Sequence, residues 1–109
     1  MLYKLKDAKK VERQGFTAFK YNSKADLPEM NAIFVDCHDS HEKCSVKNSF
    51  RLYFVIDGTG EFLVGEEKFS VEKNDVVIIP PKTAYAYKGK MKLFEANAPA
   101  TSSEDEIKL

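Results

Sequence analysis

The sequence predicts an all-β protein of the jelly-roll type. Two observations carry this prediction: apolar residues alternate with period two over short segments, and turn residues separate those segments at close spacing. Residues 53–89 show both features most clearly. Eight or more short strands at this spacing favour a sandwich or barrel closed by Greek-key connections. No segment combines a helical period with helix caps.

The first predicted strands cover residues 16–21, 31–37 and 44–56. Asp57-Gly58-Thr59-Gly60 predicts a hairpin turn, because glycine adopts positive φ without a Cβ clash. The later strands are predicted at residues 61–64, 68–71, 76–79, 83–87 and 90–95. Residues 76–79 are apolar at every position, so we expect this strand to be buried on both faces, and Pro80-Pro81 ends it.

Composition indicates one domain and narrows the range of partners. Residues 1–97 are predicted to form the barrel, and residues 98–109 a polar tail that is mobile or loosely docked. The 17 basic and 17 acidic side chains are interspersed, which argues against binding to nucleic acid or to an anionic membrane. The first residues are too polar for a signal peptide, and no apolar run approaches a membrane span. We therefore expect a cytoplasmic protein with reduced cysteines.

Part of the chain carries the turn spacing of a known barrel family. Residues 74–85, NDVVIIPPKTAY, are similar in spacing to the second-half pattern of the cupin family, and Asp57-Gly58-Thr59-Gly60-Glu61 falls on the end of its first-half pattern. The chain thus resembles the cupin superfamily over residues 44–89. The resemblance implies a small, single-domain double-stranded β-helix, which is a jelly-roll barrel.

The metal ligands of that family are not reproduced. Cupin metal sites use three histidines and one glutamate, and the matching positions here hold Ser45, Lys47, Arg51 and Tyr85. Cations repel a divalent metal, and neutral hydroxyls are poor ligands compared with imidazole or carboxylate. We therefore expect no metal and no cofactor in the barrel.

Two turn positions also depart from the family pattern. Asn74 and Lys82 stand where the family often has glycine. Asparagine tolerates left-handed backbone geometry, whereas lysine in that geometry costs roughly 1 kcal/mol or more. Either the turn at Lys82 has another shape or the strain is accepted.

The resemblance implies a ligand site inside the barrel. Lys47, Arg51 and Tyr53 would face inward from one strand, and Tyr85 and Tyr87 from another. Cations and phenols suit a small anionic or polyhydroxylated ligand, because arginine binds carboxylates in a bidentate way and tyrosine offers a flat face with a polar tip. Alternation alone leaves the opposite arrangement open, with the polar row in water. In that case the apolar row would face the core: Val46, Phe50, Leu52, Phe54 and Ile56.

Three functions follow as hypotheses. The first is a metal-free binding module for the ligand just described. The second is a metal-independent isomerase or epimerase of sugar-like substrates, with Tyr85 as an acid whose pKa is lowered by Arg51 or Lys47. No partner base inside the barrel is identified from the sequence.

The third hypothesis is a metal-binding cupin that uses His38 and His41. Both cysteines and both histidines lie in residues 37–44, and two cysteines with two histidines are a zinc ligand set. The four share one turn, however, unlike zinc fingers. The alternative is a polar hairpin tip with Cys37 and Cys44 opposite each other across the ladder.

The apolar row points to an assembly. In cupin barrels a second subunit often covers one sheet's outer face, so the resemblance places Phe50, Leu52, Phe54 and Ile56 at a dimer interface. A row of that size exposed on a monomer favours aggregation. We therefore expect a homodimer.

Overall fold

The computed structural model describes residues 1–109 as one antiparallel sheet of nine strands that curls into a barrel. The strands are β1 (Lys9–Glu12), β2 (Phe16–Lys20), β3 (Asn31–Cys37), β4 (Ser40–Val46), β5 (Phe50–Val64), β6 (Glu67–Glu72), β7 (Val76–Ile79), β8 (Tyr85–Ala98) and β9 (Glu106–Lys108). Two 3₁₀ helices, Leu5–Asp7 and Ser103–Asp105, complete the chain. The all-β prediction is confirmed. No helix has the length and apolar character that crossing a membrane requires.

The pairing of β5 with β8 forms the centre of the barrel. The two strands pair from Phe50 opposite Ala98 to Val64 opposite Tyr85. β3 and β4 lie one after the other along the second edge of β8. β6 and β7 pair with the two halves of β5, and β1 and β2 extend the sheet beyond β3.

This arrangement corrects the predicted hairpin at residues 37–44. β3 and β4 do not pair with each other, because each of them pairs with β8. Cys37 lies opposite Met91 and Cys44 lies opposite Tyr85. The two cysteines are buried free thiols at separate places along β8, so they do not face each other across a ladder.

A β-bulge in β5 corrects the predicted turn at residues 57–60. The bulge lies between Val55 and Asp57 and reverses the alternation, so that Tyr53 before it and Phe62 after it are both buried inside. The segment around Gly60 therefore continues β5 instead of forming a hairpin turn. Gly60 lies opposite Gly89, whose φ is +131°, and a Cβ on Gly89 would lie 2.6 Å from the Gly60 Cα.

Strand β7 is buried on one face, whereas the sequence predicts burial on both. Val77 and Ile79 belong to the core, but Val76 is 52% exposed and Ile78 57% exposed. The reason is that no second layer of the same chain covers the outer face of the sheet here. Continuous apolar composition therefore did not mean burial on both faces within this chain.

The turns before and after β7 both keep the geometry of a glycine turn. Lys82 has φ +64° and Asn74 has φ +76°, both in the left-handed region. The backbone N–H of Lys82 donates to the Val46 carbonyl at 2.7 Å. The strain at Lys82, roughly 1 kcal/mol, is therefore accepted in this fold.

The segment 98–109 docks onto the barrel, which corrects the predicted mobile or loosely docked tail. Strand β9 pairs with β4, with Ile107 opposite Ser45. Thr101 is buried, and the Lys24 Nζ lies 3.2 Å from the Asp105 Oδ2. A polar composition did not exclude docking, because the polar groups of this segment find partners on the barrel.

Candidate functional site

The barrel interior holds a cavity of about 80 Å³ between two unlike walls. The apolar wall comes from β1, β2 and β3 and consists of Val11, Phe16, Ala18, Ile33 and Val35. The polar wall contains His41, Arg51, Glu95, Thr101 and Glu106. Since one water needs about 10–15 Å³ in this measure, the space corresponds to roughly five to eight waters. It suits a small hydroxylated ring with one apolar face.

Arg51 is the buried charge at the centre of the polar wall, with 2% of its surface exposed. Its Nε donates to the Asn97 Oδ1 at 2.6 Å and lies 3.3 Å from the Glu95 Oε2. Its Nη2 donates to the Thr101 Oγ1 at 3.2 Å. Burial alone would lower the pKa of Arg51, but Glu95 and the other acidic groups around it hold that pKa well above its ordinary value.

The remaining donor of Arg51 reaches toward the C-terminal segment. Its Nη1 donates to the Tyr85 hydroxyl at 2.6 Å and to the Glu106 Oε1 at 2.9 Å. Glu106 and Glu95 together place two carboxylates against one guanidinium. The cation that was predicted to bind an anionic ligand is therefore already neutralised by the protein's own carboxylates.

The three predicted tyrosines pack behind the cavity wall. Tyr53, Tyr85 and Tyr87 are at most 3% exposed and belong to the hydrophobic core. The Tyr53 and Tyr85 hydroxyls are 2.8 Å apart. Burial raises the pKa of each tyrosine well above its ordinary value, and for Tyr85 it outweighs the opposing effect of Arg51. The expected lowering of the Tyr85 pKa is therefore wrong.

Lys47 does not join this group, which corrects its predicted inward position. It is exposed and lies in the bend that separates β4 from β5. The sequence suggested one continuous strand over residues 44–56, and parity along that strand placed Lys47 inside. Because the strand is interrupted after Val46, parity cannot be carried across it. The structure brings Arg51, Tyr53 and Tyr85 together and places Tyr87 beside them.

His41 enters the cavity wall between aromatic rings. Its ring centroid lies 4.8 Å from that of Phe16, 5.0 Å from Tyr87 and 5.6 Å from Tyr85. Burial lowers the pKa of His41, so the ring is neutral near pH 7. Sequence reasoning missed this role, because only the pairing of His41 with Tyr87 on β8 shows which way the side chain points.

The hydrogen bond of His41 fixes its tautomer. The Nδ1 lies 2.7 Å from the Glu42 carbonyl oxygen, which can only accept, so Nδ1 carries the proton. The Nε2 forms no hydrogen bond within the protein. The Tyr87 hydroxyl is the one fully buried side-chain oxygen or nitrogen without a hydrogen bond, so the His41 Nε2 is accessible to solvent or ligand. His41 therefore carries an unprotonated nitrogen without a protein partner, and the residue lines this cavity and a second one beside Glu61 and Lys68.

Gly15 holds Phe16 beside His41. The Gly15 carbonyl accepts the N–H groups of His38 at 3.2 Å and Asp39 at 3.0 Å. A Cβ at this position would collide with the Ser40 carbonyl oxygen. Only glycine lets the β1–β2 turn pack this closely against the start of β4.

Glu95 and Asn97 are two further site residues that sequence reasoning did not single out. They lie opposite Tyr53 and Arg51 on the inner face of β8. The Asn97 Nδ2 donates to the Glu95 Oε2 at 2.8 Å, which orients the carboxylate. Their alternation with Leu93 was a signal in the sequence, since a polar residue in phase with a core residue on a strand faces inward.

The residues proposed for a metal site at the 37–44 turn are not brought together. His38 is exposed, whereas His41 is buried inside the barrel. Burial raises the pKa of the Cys44 thiol to about 11 and also raises that of Cys37, which disfavours thiolate ligands. No group of three or more His, Cys, Asp and Glu side chains is arranged to hold a metal ion.

Comparison with known proteins gives one partial sequence relative. It is an uncharacterised protein of Methanocaldococcus jannaschii, 33% identical over 61 residues. The match covers 52% of this chain and 49% of that protein, so it spans about half the length of each. No family model matches the chain.

Solved structures give a likeness over the whole chain. The cupin domain of Schizosaccharomyces pombe Cnp3 superposes on 89% of the chain and 72% of its own length, with a TM-score of 0.74 and 20% identity. The chain has the cupin fold. The resemblance read from the turn spacing is thus confirmed at the level of the fold.

A second solved structure is similar over the full length of this cupin-fold chain. Pac13, described as a nucleoside dehydratase, has a TM-score of 0.91 at 23% identity, covering 100% of this chain and 90% of its own. Streptomyces Pac13 variants with uridine are also similar, among them one in which a histidine is replaced by glutamine and two in which a tyrosine is replaced by phenylalanine.

Proposed function

We propose that this small cupin-domain protein binds a polyhydroxylated molecule, such as a sugar or a nucleoside, in its cavity and transfers a proton on it without a metal. The observation that carries this proposal is the state of His41. Its Nδ1 is tied to the Glu42 carbonyl, its Nε2 has no protein partner, and the residue lines the cavity. A neutral imidazole in this position is suited to act as a general base near pH 7.

The charge of the polar wall favours hydroxyl groups over an anion. On this wall Arg51 contributes one positive charge, Glu95 and Glu106 contribute two negative charges, and His41 is neutral, while the other two cations of the cavity, Arg13 and Lys20, lie on the side of the β1–β2 hairpin. Carboxylates accept hydrogen bonds from hydroxyls, while a ligand carboxylate or phosphate would be repelled here. Phe16, on the apolar wall, offers a flat surface to the carbon face of a sugar ring.

The described activity of Pac13 supports a reaction of this class. Dehydration of a sugar removes a proton from carbon, releases a hydroxyl group and returns a proton to it as water leaves. Here the His41 Nε2 would take the carbon-bound proton, and the resulting imidazolium would give it to the departing hydroxyl. The sum of the two transfers leaves His41 in its starting state.

An isomerase or epimerase would use the same first step. The proton taken by His41 would return to a neighbouring carbon, or to the opposite face of the same carbon. The product separates this alternative from dehydration, because isomerisation and epimerisation conserve mass and dehydration loses one water.

A binding module without turnover is the second candidate. It is favoured by the closed hydrogen-bond network of Arg51, Tyr53 and Tyr85, whose polar groups already bond to each other. Such a network stabilises a rigid wall and leaves no tyrosine free to donate a proton from the cavity surface.

Binding and proton exchange test the proposal together. Calorimetric titration with uridine measures binding. Proton NMR of free ribose in D₂O, in a separate sample, follows exchange of the C2 proton, which lies next to the aldehyde carbon of the open-chain sugar. We expect exchange to fall by about 10² to 10⁴-fold in His41→Gln while uridine binding persists. His38→Gln, which changes the exposed histidine, is the matched control and should behave as wild type. Binding with no exchange in the wild type would favour the binding module, and absence of both would contradict the proposal.

We also propose that the protein forms a homodimer through the outer face of the sheet. The outer face is defined by two cross-strand rows: Phe19, Phe34, Phe94, Phe54 and Val76, and Ala32, Ala96, Leu52 and Ile78. The first row crosses five strands, about 20 Å at about 4.8 Å between neighbours. The surface lies on the side of the sheet opposite the cavity wall, so covering it leaves the cavity open. A second copy of the chain is the partner that would cover this apolar surface.

A further inference from the structure

Three cationic side chains border the cavity on the β1–β2 hairpin. Arg13 and Lys20 line the inner cavity described above, and Lys9 and Lys20 line a larger cavity outside it. None of the three forms an ion pair; the salt bridges of the structure involve Lys10, Lys24, Arg51, Lys88 and Lys108. The one side-chain hydrogen bond of Arg13 goes to the adjacent Glu12 carbonyl. All three positive charges are therefore uncompensated.

Two of these cations face each other directly. Lys9 lies opposite Lys20 in the β1–β2 ladder, so their side chains project from the same face. The next pair on that face is Val11 and Ala18, which line the inner cavity, so the lysines project from the cavity side of the sheet. Like charges directly opposite each other destabilise an antiparallel pair. A bound anion would turn this repulsion into attraction.

The larger cavity gives such an anion a place. It has a volume of about 490 Å³ and shares Lys20, Asn31, Thr101 and Ser102 with the inner cavity. An elongated molecule held in the inner cavity can therefore extend past Lys20 into the outer one. Acidic side chains are present there as well.

Those acidic side chains form no ion pair with the cations of the hairpin. Asp7 and Asp26 line the outer cavity, but neither is within ion-pair distance of a cation. Asp26 accepts the backbone N–H of Ser23, and Lys24 is held by Asp105. Lys9 and Lys20 are thus the cations without an ion pair in the outer cavity, and Lys20 also lines the inner one.

We propose that Lys9, Arg13 and Lys20 form a subsite for a phosphate group carried by the ligand, so that the natural ligand is a sugar phosphate or a nucleotide. This inference rests on the proposed function, because it takes the hydroxylated part of the ligand to lie in the inner cavity. The polar wall, where Glu95 and Glu106 outnumber Arg51, repels the phosphate, and the cationic hairpin attracts it. The two regions together orient the ligand.

The test compares uridine with uridine 5′-monophosphate by calorimetric titration at low salt. We expect the wild type to bind the monophosphate at least about tenfold more tightly, as one charge-assisted contact to phosphate implies. Lys20→Met and Lys9→Met, which keep the aliphatic stem, should reduce this ratio to about threefold or less. Lys10→Met is the control: Lys10 lies on the same strand but pairs with Glu12, and its substitution should leave the ratio unchanged. Added salt should also reduce the ratio.

A ratio near one in the wild type, or an equal loss in Lys10→Met and Lys20→Met, would overturn the subsite. Uridine binding together with His41-dependent exchange on ribose, but no gain from phosphate, would overturn the subsite and leave the proposed function standing. Monophosphate binding that depends on Lys20, with no uridine binding and no exchange, would support the subsite and overturn the proposed function.

A measurement without ligand tests the like-charge argument by itself. Lys20→Met should melt at a higher temperature than wild type, because the repulsion between Lys9 and Lys20 is removed. A lower melting temperature would contradict the like-charge argument.

Discussion

At the scale of single residues, His41 links the stability of the protein to pH. Burial lowers the pKa of His41 below its ordinary value of 6.5, so the unfolded chain binds a proton in a range where the folded protein does not. The free energy of unfolding should therefore fall as the pH drops below about 6.5, by at most about 1.4 kcal/mol per pH unit for one proton. Urea denaturation at several pH values measures this slope. His41→Gln should lose that part of the slope, while His38→Gln should keep it; identical slopes in wild type and His41→Gln would contradict the prediction.

The hydroxyl of Tyr87 gives a second test at this scale. It is enclosed without a hydrogen-bond partner, whereas the Tyr53 hydroxyl lies 2.8 Å from that of Tyr85. Removing an unpaired buried polar group relieves its desolvation, and removing a paired one costs about 1 kcal/mol. Tyr87→Phe should therefore be neutral or stabilising, and Tyr53→Phe should destabilise. Thermal or urea unfolding of both variants checks the prediction; equal destabilisation would show that the Tyr87 hydroxyl has a partner.

The sequence placed part of the barrel interior correctly. Arg51 and Tyr85 were expected inside the barrel, and they are hydrogen-bonded there. His41 and Glu106 could not be placed, because one faces inward through an irregular pairing with β8 and the other arrives from a distant segment. Lys47 was misplaced because parity was carried through a bend. The alternation of side chains on a strand is informative only as far as the strand is known to continue.

At the scale of elements, the docking of β9 completes the surroundings of Arg51. Glu106, on β9, is partly exposed, while Glu95 on β8 is buried against the same guanidinium. Removing a charge from a buried pair costs about 3 kcal/mol or more, and weakening a partly exposed one costs about 1 kcal/mol. Glu95→Gln should thus destabilise the protein more than Glu106→Gln in urea denaturation. Glu104→Gln, at an exposed position of the same segment, is the control; if it cost as much as Glu106→Gln, the contact with Arg51 would not be the cause.

The elements were predicted in part, and the main error concerns the role of glycine. β7 has the predicted bounds, and the β5–β6 turn falls at Gly65, which has φ +60°. The segment around Gly58 was taken for a hairpin turn because glycine permits turns, but here it permits close strand packing after a β-bulge. Local sequence cannot distinguish these two uses of glycine, since both depend on which strand lies opposite.

At the scale of the whole molecule, the outer face predicts the oligomeric state. Ile78 is 57% exposed and lies on this face, next to Leu52. Lysine at position 78 would place a charge in the proposed interface, so Ile78→Lys should sediment as a monomer while wild type sediments as a dimer at micromolar concentration. Thr59→Lys adds the same charge at an exposed position of β5 outside this face and should leave the dimer intact. A monomeric wild type would rule out the dimer.

The central β5–β8 ladder has a consequence for how quickly the chain reaches its native state. Every pair in this ladder joins residues that are distant along the chain, and β9 must travel back to β4 before Arg51 has all its partners. Topologies dominated by such non-local pairs fold in milliseconds to seconds, because the entropy of closing long loops is lost before the contacts form. During that interval the apolar strands lie open to other chains. Early association of two copies through the outer face would therefore protect the folding chain from aggregation, as it would the folded protein.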